Sequence, residues 1–169
     1  LLSGLVGAEM SIRNSPKDVE DHVRARLRDS GRLQRRSDVP VGALLSGGLD
    51  SGLMVALAAQ LTDKPINTYT VRFTGAAVDE TTLAGAVAER YGTCHTVLDV
   101  KADRVARLLP KLAWYCEEPL NDAALLPNFL IEAELGKRIK VALNGTGGDE
   151  LFAGYGRYFR LPVESRYLS

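Results

Sequence analysis

The chain has 169 residues, a length that suits one domain with enough polypeptide for a real core. Its 46% hydrophobic, 25% charged and 7% aromatic residues are those of an ordinary soluble protein. Lys+Arg and Asp+Glu stand at 21 each, so no global charge draws the chain to nucleic acid or an anionic membrane. No apolar run is long enough to span a bilayer and no secretory signal is visible, so a cytoplasmic location is expected.

In chain order, Asn14-Ser15-Pro16 is a helix-start signal, and residues 16–36 read as a helix with Val19, Val23 and Leu27 on one face. Its basic run (Arg24, Arg26, Arg28, Arg32, Arg35, Arg36), answered within the run only by Asp29, reads as a solvated face. Val39–Leu45 is the first strand. A glycine turn follows, and then a helical run in which Leu53, Leu57 and Leu61 repeat every fourth residue. Ile66–Phe73 is β-branched and aromatic, a second strand. Residues 75–78 are loop. Asp79 and Glu80 open a helix whose expected buried stripe is Leu83, Val87 and Tyr91, with Gly92 as a left-handed cap.

Cys94–Val100 is the third strand. Residues 103–116 are helical, and Pro110 predicts a break into two short helices. Glu117–Asp122 reads as loop, and Pro127 as the start of a helix to about Arg138. Ile139–Asn144 alternates with period two, a fourth strand. Gly145-Thr146-Gly147-Gly148 is a second glycine turn, and Asp149 opens another helix. Alternating strands and helices predict an α/β fold, a parallel sheet with helices on both faces. Both glycine turns follow strands, so both belong at the carboxyl edge, where such sheets bind ligands. Cys94 and Cys116 lack metal-type spacing and are expected as buried free thiols. The chain starts at Leu1 and ends soon after an aromatic cluster (Phe152, Tyr155, Tyr158, Phe159), so a fragment of a longer protein is expected.

The first turn, Ser46-Gly47-Gly48-Leu49-Asp50-Ser51, carries the chemistry. Two glycines let the backbone approach a ligand closely, and the following helix presents unpaired N–H groups to phosphate oxygens. Ser46 and Ser51 add hydroxyls. Asp50 would repel phosphates unless a divalent cation lies between, since Mg²⁺ takes carboxylate and phosphate oxygens together. Neither G-x-x-x-x-G-K-S/T nor G-x-G-x-x-G is present, which argues against P-loop and dinucleotide sites.

This turn resembles the pyrophosphate loop, S-G-G-x-D-S, of the ATP pyrophosphatases, and hence the adenine nucleotide alpha hydrolase-like (PP-loop) fold. The segment Asn144–Tyr155 resembles the S-G-D/E-G-G/A-D-E-L-F-G-G-Y segment of the asparagine synthetase family, a longer and more specific match. The resemblance implies a division into an N-terminal helix and linker over 1–37 and a synthetase domain over 38–169, truncated at its C-terminus. It implies that Ser46, Gly47, Gly48, Asp50 and Ser51 hold the β- and γ-phosphates of ATP. Asp50 and Asp149 match the family's two Mg²⁺-binding aspartates and are the catalytic candidates. Leu45, Val71, Asn144 and Gly145 fall at or beside the nucleotide. For Leu45 and Val71, plain sheet core is an equally good reading. Asp79, Glu80, Glu118 and Asp122 would help shape the acceptor side, although helix capping is the better reading of Asp79 and Glu80.

The implied reaction is an ATP-dependent, AMP- and pyrophosphate-forming amide synthesis. A small-molecule carboxylate, such as aspartate, is adenylated and then attacked by ammonia from a glutaminase domain outside this chain. The family's catalytic Lys also lies outside it. Thr146 stands where the family has an acid, Asn144 where Ser is common, and Gly52 where a second Ser is usual; Gly52 weakens its helix by about 1 kcal/mol relative to Ala. These departures leave open a different acceptor, as in β-lactam synthetase-like ring closure or polysaccharide or peptide amidation, and a non-catalytic ATP-binding module.

Overall fold

The computed structural model describes residues 15–74, 79–101, 105–117, 124–156 and 158. The expected loop at 75–78, the Glu118–Asp122 segment and Phe159 of the aromatic cluster lie outside the described residues. The chain divides into two compact units, Leu1–Arg36 and Ser37–Ser169.

The first unit carries helix α1 (Pro16–Gln34). Ser15 accepts from the Asp18 N–H at 3.2 Å, and the Ser15 N–H donates to Asp18 Oδ2 at 3.0 Å. Pro16 at the first helical position lacks an N–H that would go unpaired anyway. The Ser15 donors hold the Asp18 carboxyl below its ordinary pKa. Arg32 pairs with Asp29, and Arg24 pairs with Glu20, an acid one turn before the basic run. Both pairs are exposed, as a solvated face should be.

The second unit runs β1 (Val41–Leu44), α2 (Leu49–Gln60), β2 (Asn67–Thr74), α3 (Thr81–Arg90), β3 (Cys94–Lys101), α4 (Val105–Cys116), α5 (Leu125–Leu135), β4 (Val141–Leu143) and α6 (Gly148–Phe152). The strands form a parallel sheet in the order β3-β2-β1-β4. From β1 the chain steps outward to β2 and β3, then returns to lay β4 on the far side of β1. The order therefore reverses between β1 and β4, and a crevice opens beyond their carboxyl ends.

Each face of the sheet has its own core. On one, Ala43, Leu45 and Leu143 pack with Val55 and Ala58 of α2 and Ala84 and Ala88 of α3. On the other, Tyr69 and Leu98 pack with Leu135 and Ile139, flanked by Leu44, Val71 and Ile131. Strand alternation does the sorting: Leu44 and Leu45 turn to opposite faces. α4 runs against α5, with Lys111 Nζ 5.9 Å from the Phe129 ring centre.

Several expectations are corrected. α2 begins at Leu49, directly on Gly48, rather than near Leu53, so Asp50 and Ser51 belong to its first turn. Its buried residues are Ser51, Val55, Ala56, Leu57 and Ala58, so of the leucine repeat Leu57 is buried as expected while Leu53 is 42% exposed. α3 likewise buries Ala84 and Ala88 and turns Leu83 outward at 62% exposure, with Val87 and Tyr91 half-buried. On α3 small residues let the helix lie close to the sheet, so its bulkiest side chain does not mark the contact face. α4 continues through Pro110 as one helix. Pro110 is exposed, so its ring sits on the side of the helix where no core packing is disturbed. Cys94 is exposed rather than buried, because it is the first residue of the edge strand β3, and Cys116 is half-buried. Gly92 does take the left-handed conformation, φ +61°.

Candidate active site

Both glycine turns lie beyond the carboxyl ends of β1 and β4, at the crevice. The first begins where the sheet ladder ends: the Leu45 N–H donates to the Tyr69 carbonyl at 2.9 Å, and the Thr70 hydroxyl donates to the Leu45 carbonyl. Gly47 has φ +79°, and a Cβ there would meet Leu83 Cβ at 2.9 Å and the Glu80 carbonyl at 3.1 Å. Only glycine lets this turn rest on the start of α3. Gly47 thus seats the loop from behind and lines neither cavity described below.

The hydroxyls hold the turn together. Ser51, 7% exposed, donates to the Gly48 carbonyl at 3.1 Å and accepts from the Ser46 N–H at 3.2 Å. With that proton committed, Ser46 is the donor in the Ser46–Ser51 hydroxyl pair at 3.0 Å, and it accepts from the Gly48 N–H at 3.3 Å. Ser51 is the internal brace, and Ser46 is the hydroxyl on the exposed side of the turn, where a ligand can reach it.

The second turn closes over Asp50. A Cβ on Gly145 would lie 2.9 Å from both Asp50 Cβ and the Ser51 nitrogen. A Cβ on Gly148 would lie 2.5 Å from Asp50 Cγ and 2.6 Å from Asp50 Oδ2. These two glycines let β4's loop come down on the first turn of α2; Asp149 follows Gly148 in the chain but lines neither cavity described below. Gly147 makes the bend at φ +98°. The Asp149 carboxylate lies against Gly154 in a turn where Ala153 has φ +57°, so a side chain at 154 would displace it. Asn144 Oδ1 accepts from the Thr146 N–H at 3.2 Å and fixes the start of the loop.

Two adjoining cavities result. One, of about 280 Å³, is lined by Ser46, Gly48, Asp50, Ser51, Asn144, Gly145 and Thr146, with Leu44 and Leu49. The other, of about 320 Å³, has an apolar wall of Leu44, Tyr69, Val71, Phe73 and Ile131 and a polar rim of Ser46, Arg72, Asp79 and Glu80. They share Leu44 and Ser46. Of the two sequence candidates for the second cavity, Val71 lines it, whereas the Leu45 side chain is 1% exposed in the core, leaving its backbone for the pocket. Asp79 and Glu80 line this cavity and not the one around Asp50. Asp79 Oδ1 also accepts from the Thr81 N–H at 2.9 Å, which holds its carboxyl below the ordinary value; Glu80 has no such capping bond. Among the described residues no three His, Cys, Asp or Glu side chains gather as a ready metal cage, so a cation here would need oxygens from a ligand as well as Asp50 and Asp149.

Sequence reading missed Gly148 and Gly154 as contact glycines, although their place beside Asp149 was a signal. It missed Ile131, which nothing in the sequence marks. It also missed the bond from the Tyr155 hydroxyl to Glu150 Oε1 at 2.7 Å, two polar residues five apart across a turn.

Comparison with known proteins follows the same lines. The asparagine synthase family model matches residues 22–169. A Mycobacterium tuberculosis protein named as a glutamine-hydrolysing asparagine synthetase is 42% identical over 146 residues, 86% of this chain and 22% of the relative. Asparagine synthetase (glutamine-hydrolysing) 1 of Bacillus subtilis is 36% identical over 136 residues, 80% of this chain and 21% of the relative. The chain thus spans about a fifth of the length of these curated relatives. Among solved structures, a glutamine-dependent NAD⁺ synthetase of Acinetobacter baumannii in complex with ADP superposes with TM-score 0.53 at 22% identity, covering 76% of this chain and 26% of that one. The NH₃-dependent NAD synthetase of Campylobacter jejuni gives 0.50 at 16% identity, covering 80% and 60%. These likenesses show the fold, an adenine nucleotide alpha hydrolase-like parallel sheet with helices. With its two glycine turns converging on Asp50 and the family match running from residue 22 to 169, the chain belongs to the asparagine synthase family.

Proposed function

We propose that the protein is an ATP-dependent, AMP- and pyrophosphate-forming amide synthetase, and that residues 38–169 are its nucleotide-binding synthetase part, preceded by an N-terminal helix and linker. The observation that carries this reading is the close approach of Gly145 and Gly148 to Asp50 and Ser51. It joins the two loops into one cavity at the sheet's switch point. ATP would lie with its base along the Val71 wall and its β- and γ-phosphates over Ser46, Gly48 and Ser51, Gly47 seating the loop behind them. Asn144 and Gly145 border the nucleotide between.

The donor set fits Mg²⁺: Asp50, which lines the smaller cavity, and Asp149, the residue after Gly148 on the loop that closes over it, are hard oxygen ligands too few to form a cage by themselves. Mg²⁺ bound by them would supply charge neutralisation on the departing pyrophosphate. The chain's own residues orient. Backbone N–H groups at the start of α2 favour phosphate charge, and the glycines remove side chains from the line of approach. An acceptor carboxylate oxygen attacks the α-phosphorus as the bond to pyrophosphate breaks. An amine then attacks the acyl carbon of the mixed anhydride and AMP leaves, giving an amide. The acceptor is a small-molecule carboxylate such as aspartate, and the amine is ammonia from a glutaminase part of the complete protein. We place it among cytoplasmic enzymes of small molecules: balanced charge gives no global attraction to nucleic acid or to an anionic membrane, and no helix of the described residues is long and apolar enough to cross a membrane.

The test is pyrophosphate release by the complete protein with Mg-ATP, ammonium or glutamine, and a panel of carboxylates. Stoichiometric pyrophosphate, AMP and amide support the proposal. ATP binding without pyrophosphate release for any acceptor refutes it.

A further inference from the structure

β2 outruns β1. The last β1–β2 pair is Leu44 with Tyr69, yet β2 continues paired with β3 as far as Thr74 with Lys101. Among the described residues nothing pairs with β2 beyond Thr70 on the β1 side, which leaves a strand edge beside the larger cavity. Val71 and Phe73 give that cavity part of its apolar wall, and Arg72 lies between them on its rim.

Arg72 is fixed there. Its Nε donates to Asp99 Oδ1 at 2.6 Å and its Nη2 to Asp99 Oδ2 at 3.1 Å, a two-point fork across paired strand positions. This bond keeps Asp99 below its ordinary pKa, and Asp79 adds a second, more distant carboxylate. The pair is exposed, 45% and 55% for the two side chains, so its contribution to folding is small. What it does is hold a planar cation still at a cavity mouth. Asp99, Asp79 and Glu80 outnumber that cation, so the rim attracts no further anion. A neutral, planar aromatic ring suits it: apolar wall on one side, guanidinium plane on the other.

We infer that Arg72, locked by Asp99, is a specificity-determining residue that holds the purine ring of the nucleotide. This rests on the ATP-binding reading above. The base occupies the Tyr69–Val71–Phe73 side of the larger cavity, the guanidinium packs against it, and the triphosphate passes by Ser46 to the glycine loops.

Titration calorimetry on the complete protein separates the possibilities, with Mg-ATP as one probe and inorganic tripolyphosphate with Mg²⁺ as a probe lacking the base. Arg72→Ala should weaken ATP binding about tenfold and leave tripolyphosphate within about twofold. Arg72→Lys, which keeps the charge but not the fork, and Asp99→Asn, which loosens it, should shift ATP in the same direction by less. Unchanged ATP affinity in Arg72→Ala, or equal losses for both probes, overturns the inference and leaves the ATP-binding reading intact. Should Arg72→Ala fail to fold, Arg72→Lys and Asp99→Asn decide by the same criterion. If the unaltered protein binds neither probe, the ATP-binding reading itself fails.

Discussion

Gly148 stands against the Asp50 carboxylate so closely that a methyl group on it would lie 2.5 Å from Asp50 Cγ. That contact joins two loops far apart in sequence. Gly148→Ala therefore pushes the Asp50 carboxylate out of place rather than merely stiffening a turn. It should weaken Mg²⁺-dependent ATP binding by at least about tenfold, about 1.4 kcal/mol, with the circular dichroism of the fold retained. Unchanged binding would show that the close approach is incidental.

The two serines of the first turn should separate. Ser51→Ala removes a buried hydroxyl that braces Ser46 and Gly48, and should lower stability by about 1–3 kcal/mol in chemical denaturation. Ser46→Ala touches an exposed hydroxyl and should leave the denaturation midpoint nearly unchanged while weakening ATP binding. A reversed pattern would contradict the division of labour assigned to them.

Gly47 and Gly92 both have positive φ, but only Gly47 is also hemmed in. Gly92→Ala should cost about 1 kcal/mol of backbone strain. Gly47→Ala adds a collision with Leu83 and the Glu80 carbonyl and should cost about 3 kcal/mol or more, read from urea midpoints.

His95 gives a pH dependence. Its Nδ1 faces the Thr68 hydroxyl at 3.0 Å, its Nε2 is buried without a partner, and burial lowers its pKa from 6.5. The unfolded chain then binds the proton more readily than the folded one, so stability rises with pH across this range. The contribution is complete above about 6.5. It is lost as pH falls through the lower, folded value. Denaturation midpoints should drop between pH 7.5 and 5.5, and His95→Gln should flatten that slope. A slope unaffected by the substitution assigns it elsewhere.

Much of the fold was readable because the strands announce themselves. Thr68–Phe73 is β-branched and aromatic, β1 and β4 run into glycine turns, and β2 is followed by carboxylates that open a helix. Harder to read were helix faces set by small residues. Ala84 and Ala88 carry the α3 contact while Leu83 faces out, because close helix–sheet packing needs small side chains and a leucine on the far side costs little. Pro110 misled for a related reason, since a proline on the exposed side of a helix can be tolerated. The polar half of the candidate site was written in contiguous motifs. The cavity wall was not: Val71, Phe73 and Ile131 meet only through the register of the sheet and the seating of α5, which local sequence does not display. The Arg72–Asp99 pair depends on register in the same way.

The central claim is that Asp50 and Asp149, from two loops, serve one nucleotide-bound cation. The direct measurement is Mg²⁺-dependent ATP affinity for Asp50→Asn, Asp149→Asn and the double variant, with Asp79→Asn as the comparison. The account expects each single change to remove most of the Mg²⁺-dependent affinity, the double variant to be no worse than the weaker single within about threefold, and Asp79→Asn to have little effect. Losses that simply add, or an Asp149→Asn effect no larger than that of Asp79→Asn, would contradict it.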